Sequence, residues 1–338
     1  MSRITSRFSA LSTAAEVLEG HSLHGKNIIV TGATTGIGVA TARALAQAGA
    51  NVVLAVRRLD AGIAIAREIN AALGVERAAA EQLDLASFAS IRKFVAGWGN
   101  RPLHMLINNA GVMATPLGYT DDNLEMQIGT NHFGHYLLTM LLTPSLIVAA
   151  PSRVLVLTSG AHHLNDVDFS DLHYRTRRYN PLAAYGQSKA ANCLFALGFA
   201  PRFIDRGITI NMVMPGAVIT ELGAGHVTQE TFAAMGELGW FDERISGPIK
   251  TLDQGASNSV WAAVAPELEG MTGLYLEDCS EALPYSAEWP FHGLHPCVQN
   301  SDDANRLWRI SAETCGVAFD LVSLCCDCSG DRRNKKGA

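Results

Sequence analysis

The stretch Asn27-Ile28-Ile29-Val30-Thr31-Gly32-Ala33-Thr34-Thr35-Gly36-Ile37-Gly38 decides the fold. Its first half is an apolar, β-branched run of strand length. Its second half is a glycine-rich turn that opens onto a helical pattern, Gly36–Ala48. A turn this tight needs residues that accept positive φ and let a ligand come close to the backbone. The helix after it aims unsatisfied N–H groups and the positive end of its dipole back at the turn, a ready-made phosphate site. The spacing is Gly-x3-Gly-x-Gly rather than the Gly-x-Gly-x-x-Gly dinucleotide fingerprint. The reading therefore rests on strand before and helix after.

The same rhythm continues outward from this turn. Short apolar runs recur at Asn51–Val56, Ala78–Asp84, His104–Asn108, Arg153–Thr158, Ile208–Met214 and Gly273–Leu276. Several are continuous rather than alternating, as strands buried on both faces are. Helical patterns lie between them at Ala61–Ala72, Ser87–Trp98, Asp121–Ala149, Ala183–Asp205 and Leu252–Val264. Repeated βα units predict one doubly wound, Rossmann-type α/β domain over residues 25–315. Its parallel sheet should have about seven strands, with helices on both faces. Residues 1–24 read as an N-terminal extension, in which Ser12 or Thr13 caps a short helix toward Leu18. Residues 316–338 read as a cysteine-containing tail, charged at its end and expected to be disordered. Two irregular segments, 160–181 and 221–250, follow the carboxyl ends of strands, where open sheets bind ligands.

Composition narrows the function classes. The 338-residue chain is 48% hydrophobic and 17% charged, which reads as globular. Its net charge of −6 offers no basic footprint for nucleic acid. Seven cysteines in a chain that needs no staples predict reduced thiols, and the start lacks the apolar core of a secretory signal. The stretch Tyr136–Ala150 contains Pro144 and falls short of the roughly 20 apolar residues a membrane span needs. No transmembrane segment and a cytoplasmic location are the expectations.

Chemistry enters at the strand ends. Tyr185 and Lys189 stand four apart at a helix start, so the phenol and the ammonium share a face. A free tyrosine titrates near 10, and a nearby cation lowers that value toward useful acid–base work. Thr158-Ser159 ends the fifth strand, Asn108-Asn109-Ala110-Gly111 ends the fourth, and Gln127-x3-Asn131 lies in the helix after it. Pro215-Gly216 follows the sixth strand, with Thr220 beyond. The second strand ends Val56-Arg57-Arg58, with no acid where NAD-selective sites place one for the ribose 2′-hydroxyl. A guanidinium there suits a 2′-phosphate, so NADP(H) is preferred over NAD(H).

In this combination and order the sequence resembles the short-chain dehydrogenase/reductases. It looks most like their retinol dehydrogenase and WW-domain oxidoreductase branch. The branch cues are Ser159-Gly160-Ala161-His162, Asp168-Phe169-Ser170-Asp171-Leu172 and the late runs Pro266-Glu267-Leu268 and Thr272-Gly273-Leu274-Tyr275. The resemblance implies Tyr185 as the acid/base, Lys189 lowering its pKa and holding the nicotinamide ribose, and Ser159 bonding the substrate oxygen. It implies that Asn131 positions a water that relays protons to Lys189. Gly32, Thr35, Gly36, Ile37 and Gly38 would hold the pyrophosphate. Asp84 and Leu85 would meet the adenine, and Asn109, Ala110 and Gly111 would line the adenosine side. Pro215, Gly216 and Thr220 would hold the nicotinamide end.

The expected activity is an NADP(H)-dependent oxidoreductase interconverting carbonyl and alcohol on a fairly apolar small molecule. Its partner is that substrate, and the resemblance accommodates a homo-oligomer or a monomer. The same frame could reduce an imine or enone. A non-catalytic NADP(H)-binding regulator should have lost Ser159, Tyr185 or Lys189, and all three are present. No metal site is expected: His162 and His163 lack a third ligand at sensible spacing. Cys325-Cys326-Asp327-Cys328 reads as part of the tail, and Met212 and Met214 read as core.

Overall fold

In the computed structural model, residues 3–223 and 226–317 are described. The decisive run forms β1 (Asn27–Thr31). The other strands are β2 (Asn51–Val56), β3 (Ala78–Gln82), β4 (Met105–Asn108), β5 (Ser152–Leu157), β6 (Ile208–Met214), β7 (Tyr275–Glu277) and β8 (Ser280–Glu281). They form one eight-stranded sheet in the order β3-β2-β1-β4-β5-β6-β7-β8. All neighbours are parallel except β7 and β8, which are antiparallel. Strand order reverses between β1 and β4. The carboxyl ends of these two strands therefore open the crevice where such sheets take ligands. The two-residue β8 is too short to show a pattern in sequence, so the expected seven strands gain an antiparallel edge.

Side chains alternate across each strand and feed two cores. Ile29, Leu106, Val154 and Ile210 face one side. They pack against α4 (Phe88–Trp98), α6 (His135–Val148), α7 (Pro181–Phe203) and α11 (Ser301–Cys315). Ile28, Val30, Leu54 and Ile107 face the other. They pack against α1 (Ala14–Leu18), α2 (Gly36–Gln47), α3 (Leu59–Leu73) and α10 (Leu252–Val264). Burial of both faces is why the strands read as unbroken apolar runs. Met212 and Met214 are core, as expected.

Thr13, not Ser12, caps α1, and Glu16 completes a reciprocal capping box. Residues 3–24 lie against the domain. Arg3 Nη1 donates to the Glu281 carbonyl (2.7 Å), Ser6 Oγ to that of Cys279 (2.6 Å), and Ala14 and Val17 are buried. The cysteine motif at 325–328 lies outside the described residues.

The long helix expected over Asp121–Ala149 is interrupted. Asn123 takes φ 63° and Tyr119 bridges Glu125 in extended geometry, so helix starts only at α5 (Met126–Ile128). The Glu125 carboxylate caps that start by accepting from the amides of Gln127 and Ile128. A π-helical turn, Gly129–Gly134, then leads into α6. Segment 221–250 is not wholly irregular either. It folds α8 (Gln229–Glu237) and α9 (Glu243–Ser246), capped by Thr228 and Asp242.

Candidate active site

The turn after β1 is fixed by close approach. Gly32 has φ +70°, and a Cβ there would lie 2.8 Å from the Ala110 backbone. A Cβ on Gly38 would lie 2.5 Å from Asn109 Nδ2 and 2.6 Å from the Gly32 carbonyl oxygen. Both positions therefore require glycine. The Asn109 amide donates to the Thr31 carbonyl (2.7 Å). Its side chain thus braces the turn, a job distinct from the adenosine contact the resemblance implies for it. Thr35 N-caps α2, but its hydroxyl makes no capping bond and no acid stands in the first helical turn. The amides at this helix start are free for an anion. Ile37 is half-buried and packs with the α2-side core.

Neighbouring loops close on the same crevice. The Thr220 methyl carbon lies 3.7 Å from where a Gly36 Cβ would be, so the loop after β6 crosses toward the phosphate turn. Asp84 Oδ1 accepts from the Ala86 amide (2.9 Å), as a turn former does. Leu85 is buried in the core. Arg57 and Arg58 are exposed at the end of β2. A glycine-walled turn, an uncapped helix start and a flanking guanidinium fit a dinucleotide diphosphate.

The reacting groups converge at the other end. Asn180 N-caps α7 through the amides of Leu182 (3.0 Å) and Ala183 (2.9 Å), with Pro181 in the first turn. That start aims Tyr185 at the end of β5, where the Ser159 side chain stands close enough to favour the phenolate. Lys189 Nζ donates to the Leu157 carbonyl (3.0 Å) and lies 5.8 Å from the Tyr185 ring centre. The Asn131 amide clasps Val112 through both its N–H and its C=O, and donates to Ser188 Oγ (2.9 Å). Gly111 faces this group: a Cβ there would lie 3.2 Å from Asn131 Oδ1 and 3.8 Å from Lys189 Nζ. Ser159, Tyr185, Lys189, Asn131 and Gly111 are therefore brought together.

Burial governs their titration. It pushes the Tyr185 phenol up to about 12, opposed by the nearby Ser159 side chain. It pushes Lys189 down to about 8. The expected lowering of Tyr185 by Lys189 is not what this geometry produces. The ammonium is turned to the Leu157 carbonyl, and desolvation outweighs any charge effect on the phenol.

Several supports leave little or no trace in the sequence. His162 Nδ1 meets the Ser159 carbonyl (2.7 Å) and its Nε2 accepts from the His295 amide (3.1 Å), so this histidine holds the Ser159 backbone. Gln127 accepts from the Ala114 amide (2.9 Å) and donates to Tyr179 and to the Pro181 carbonyl, tying α5 to the start of α7. Pro215 and Gly216 follow β6, and the buried Lys250 runs beneath Gly216 to reach Asp278 at 2.5 Å. His135, one helical turn after Asn131, bonds Thr31 and the Asn131 carbonyl. The signal for His135 was its i+4 spacing; Lys250 had none in the sequence. At the first turn of α7, Leu182 joins Ala114 and Met235 in an apolar cluster, with Met113, Val227 and Trp240 packed on it. It draws on segment 221–250 as expected. Gly160, at the start of the other segment, packs against Phe291, from a stretch to which the sequence assigns no role.

Comparisons with known proteins bear on this geometry. The family model described as short chain dehydrogenase matches residues 26–231. The chain is 38% identical over 340 residues to "Retinol dehydrogenase 13" of Homo sapiens, covering 95% of this chain and 98% of that protein. It is 44% identical over 270 residues to "Polyprenol dehydrogenase" of Mus musculus, covering 77% and 78%. Among solved structures, the fold resembles the "Pseudomonas aeruginosa RhlG/NADP active-site complex", with TM-score 0.59, 25% identity, and 75% of this chain and 94% of that one covered.

Proposed function

Because this chain belongs to the short-chain dehydrogenase/reductase family, in its retinol dehydrogenase-like branch, and is an alcohol/carbonyl oxidoreductase, we propose that it works with NADP(H) on an apolar, isoprenoid-type alcohol or aldehyde, with Tyr185 as proton donor and acceptor. The observation that carries the reading is the convergence at the end of β5 of Ser159, the buried Tyr185 and Lys189, which stands one turn along the same helix. The preference for NADP(H) is supported by Arg57 and Arg58 at the end of β2, and by the NADP of the similar Pseudomonas aeruginosa complex. The substrate class is supported by the apolar cluster of Ala114, Leu182, Met235 and Trp240 at the first turn of α7, and by the retinol and polyprenol in the relatives' names.

The cofactor, when bound, supplies or accepts the hydride, and the protein's own groups do the rest. The amides of Thr35, Gly36 and Ile37 and the Arg57 guanidinium would hold its phosphates. Pro215, Gly216 and Thr220 would border its nicotinamide end. In reduction, the Ser159 hydroxyl and the Tyr185 phenol donate hydrogen bonds to the substrate oxygen, and the Tyr185 proton passes to that oxygen as it becomes an alkoxide. Lys189, pushed down to about 8 by burial, returns a proton to the phenolate. Oxidation uses the same groups in reverse. Burial of Tyr185 and Lys189 strengthens each of these polar contacts.

The test is a titration of the protein with NADPH and NADH, read by nicotinamide fluorescence, in wild type and Arg57→Ala, followed by turnover on a panel of apolar aldehydes. The reading requires NADPH to bind tighter than NADH. It also requires Arg57→Ala to weaken NADPH by about tenfold or more, the scale of a lost charged hydrogen bond. Equal binding of the two cofactors, unaffected by Arg57→Ala, removes the NADP(H) assignment. Absence of turnover on every aldehyde removes the substrate class.

A further inference from the structure

The imidazole of His135 is 1% exposed and sits between the two halves of the site. Its Nδ1 is 2.9 Å from the carbonyl oxygen of Asn131. Its Nε2 is 2.9 Å from Thr31 Oγ1. A carbonyl only accepts, so Nδ1 carries the proton and Nε2 is the acceptor. The Thr31 hydroxyl therefore donates to Nε2, much the nearer of its two acceptors (the Ile107 carbonyl is 3.4 Å away), and its oxygen is left to accept. It receives the amides of Asn109 and Ala110, both at 2.9 Å. Every polar atom in this chain of bonds has a role. Burial and the charge of Lys189 keep the ring neutral, opposed by the bond to Asn131.

The chain joins three structures with different duties. Thr31 ends β1 and begins the phosphate turn. Asn109 and Ala110 belong to the loop after β4, and Asn109 holds that turn from beneath. Asn131 lies in the π-helical turn, where its amide clasps Val112 beside Gly111 and Lys189. His135 itself touches neither Tyr185 nor Lys189 through a hydrogen bond among the described residues.

We propose that His135 is a positioning residue that couples the two ends of the active site. Through Nδ1 it fixes the Asn131 carbonyl on the Lys189 side, where protons are supplied. Through Nε2 it orients the Thr31 hydroxyl and so fixes the loop that supports the cofactor turn. One neutral imidazole of defined tautomer thus sets proton supply and cofactor seating together. The inference rests on the oxidoreductase reading above for its first half. Its second half stands on the fold alone.

Two substitutions separate the two nitrogens. Asparagine places an amide N–H near the Nδ1 position and nothing near Nε2. Glutamine carries an amide oxygen near Nε2 and leaves Nδ1 unreplaced. In the full-length protein, His135→Gln is expected to lower kcat by about tenfold or more, the scale of a small misplacement near reacting groups, with a smaller change in the Kd for NADPH. His135→Asn is expected to show the opposite split, weakening NADPH binding more than it lowers kcat. Hydrogen exchange at the Asn109 and Ala110 amides is expected to quicken in His135→Asn and to stay slower in His135→Gln.

A role in general packing predicts something else: both variants losing kcat, Kd and Tm in parallel, and that result overturns the proposal. So does equal exchange at Asn109 and Ala110 in the two variants. If wild-type protein turns over no carbonyl with either cofactor, the proposed function falls. The exchange and NADPH-binding arms still decide whether His135 orients Thr31.

Discussion

Tyr185 and Lys189 stand one turn apart on α7, and burial moves their titration in opposite directions. The phenol is pushed up to about 12 and the ammonium down to about 8. Tyr185 is therefore a neutral proton donor across the physiological range, and Lys189 is the group that changes charge within it. Below pH 8 Lys189 is an ammonium able to reprotonate the phenolate, and above pH 8 it is an amine. The kcat for carbonyl reduction should be flat below pH 8 and fall above it, and oxidation should rise over the same interval. A reduction profile that stays level to about pH 10, where a free lysine begins to titrate, would remove Lys189 from the proton path. The companion variant, Tyr185→Phe, keeps the ring and deletes the proton. It should retain NADPH binding and lose about 10²–10⁴-fold in kcat, the usual worth of a placed acid. Wild-type-like turnover would defeat the assignment.

Helix starts, more than helix middles, carry this site. Thr35 opens α2 and leaves its amides free, while Asn180 opens α7 with two hydrogen bonds and sets the direction in which Tyr185 projects. Asn180→Ala should cost about 1 kcal/mol, typical of a lost N-cap. It should also lower kcat more than it raises the Kd for NADPH, because the frayed turn carries Tyr185 and not the phosphate contacts. Equal losses in both would place the cap's effect outside the first turn. These starts were readable in the sequence because glycines, Pro181 and the four-residue spacing of Tyr185 and Lys189 are local signals. The interruption before Asn131 was not. It depends on Glu125 folding back onto two amides and on a π-helical turn, and neither leaves a periodic trace among apolar residues. Nor was the Lys250 contact beneath Gly216, which depends on two distant segments meeting. Asp84 shows the reverse case: the family pattern implies adenine recognition, and the local geometry also gives its carboxylate a turn-forming bond.

Across the whole molecule, stability and substrate recognition are built from different material. The face of the sheet under α7 and α11 is an aromatic stack. Trp308, 3% exposed, meets Tyr136 at 5.2 Å and Phe195 and Phe199 at 6.3 Å between ring centres. Segment 221–250 instead contributes little to either large core. It buries Met235 in the small cluster by the site and leaves the stacked pair Phe232 and Phe241 57% and 44% exposed. Trp308→Ala removes a large buried ring from this stack and should cost about 3–5 kcal/mol, lowering Tm by several degrees. Below that lowered transition, KM for an apolar aldehyde should hold at its wild-type value. Met235→Ala empties part of the small cluster instead. It should raise KM by about tenfold, as one to two lost methylene contacts do in an apolar pocket, and should move Tm much less than Trp308→Ala. The two measurements, thermal unfolding and KM, must sort in this crossed order. If Met235→Ala lowers Tm as much as Trp308→Ala does, segment 221–250 belongs to the cooperative core, and its side chains cannot be assigned to substrate recognition alone.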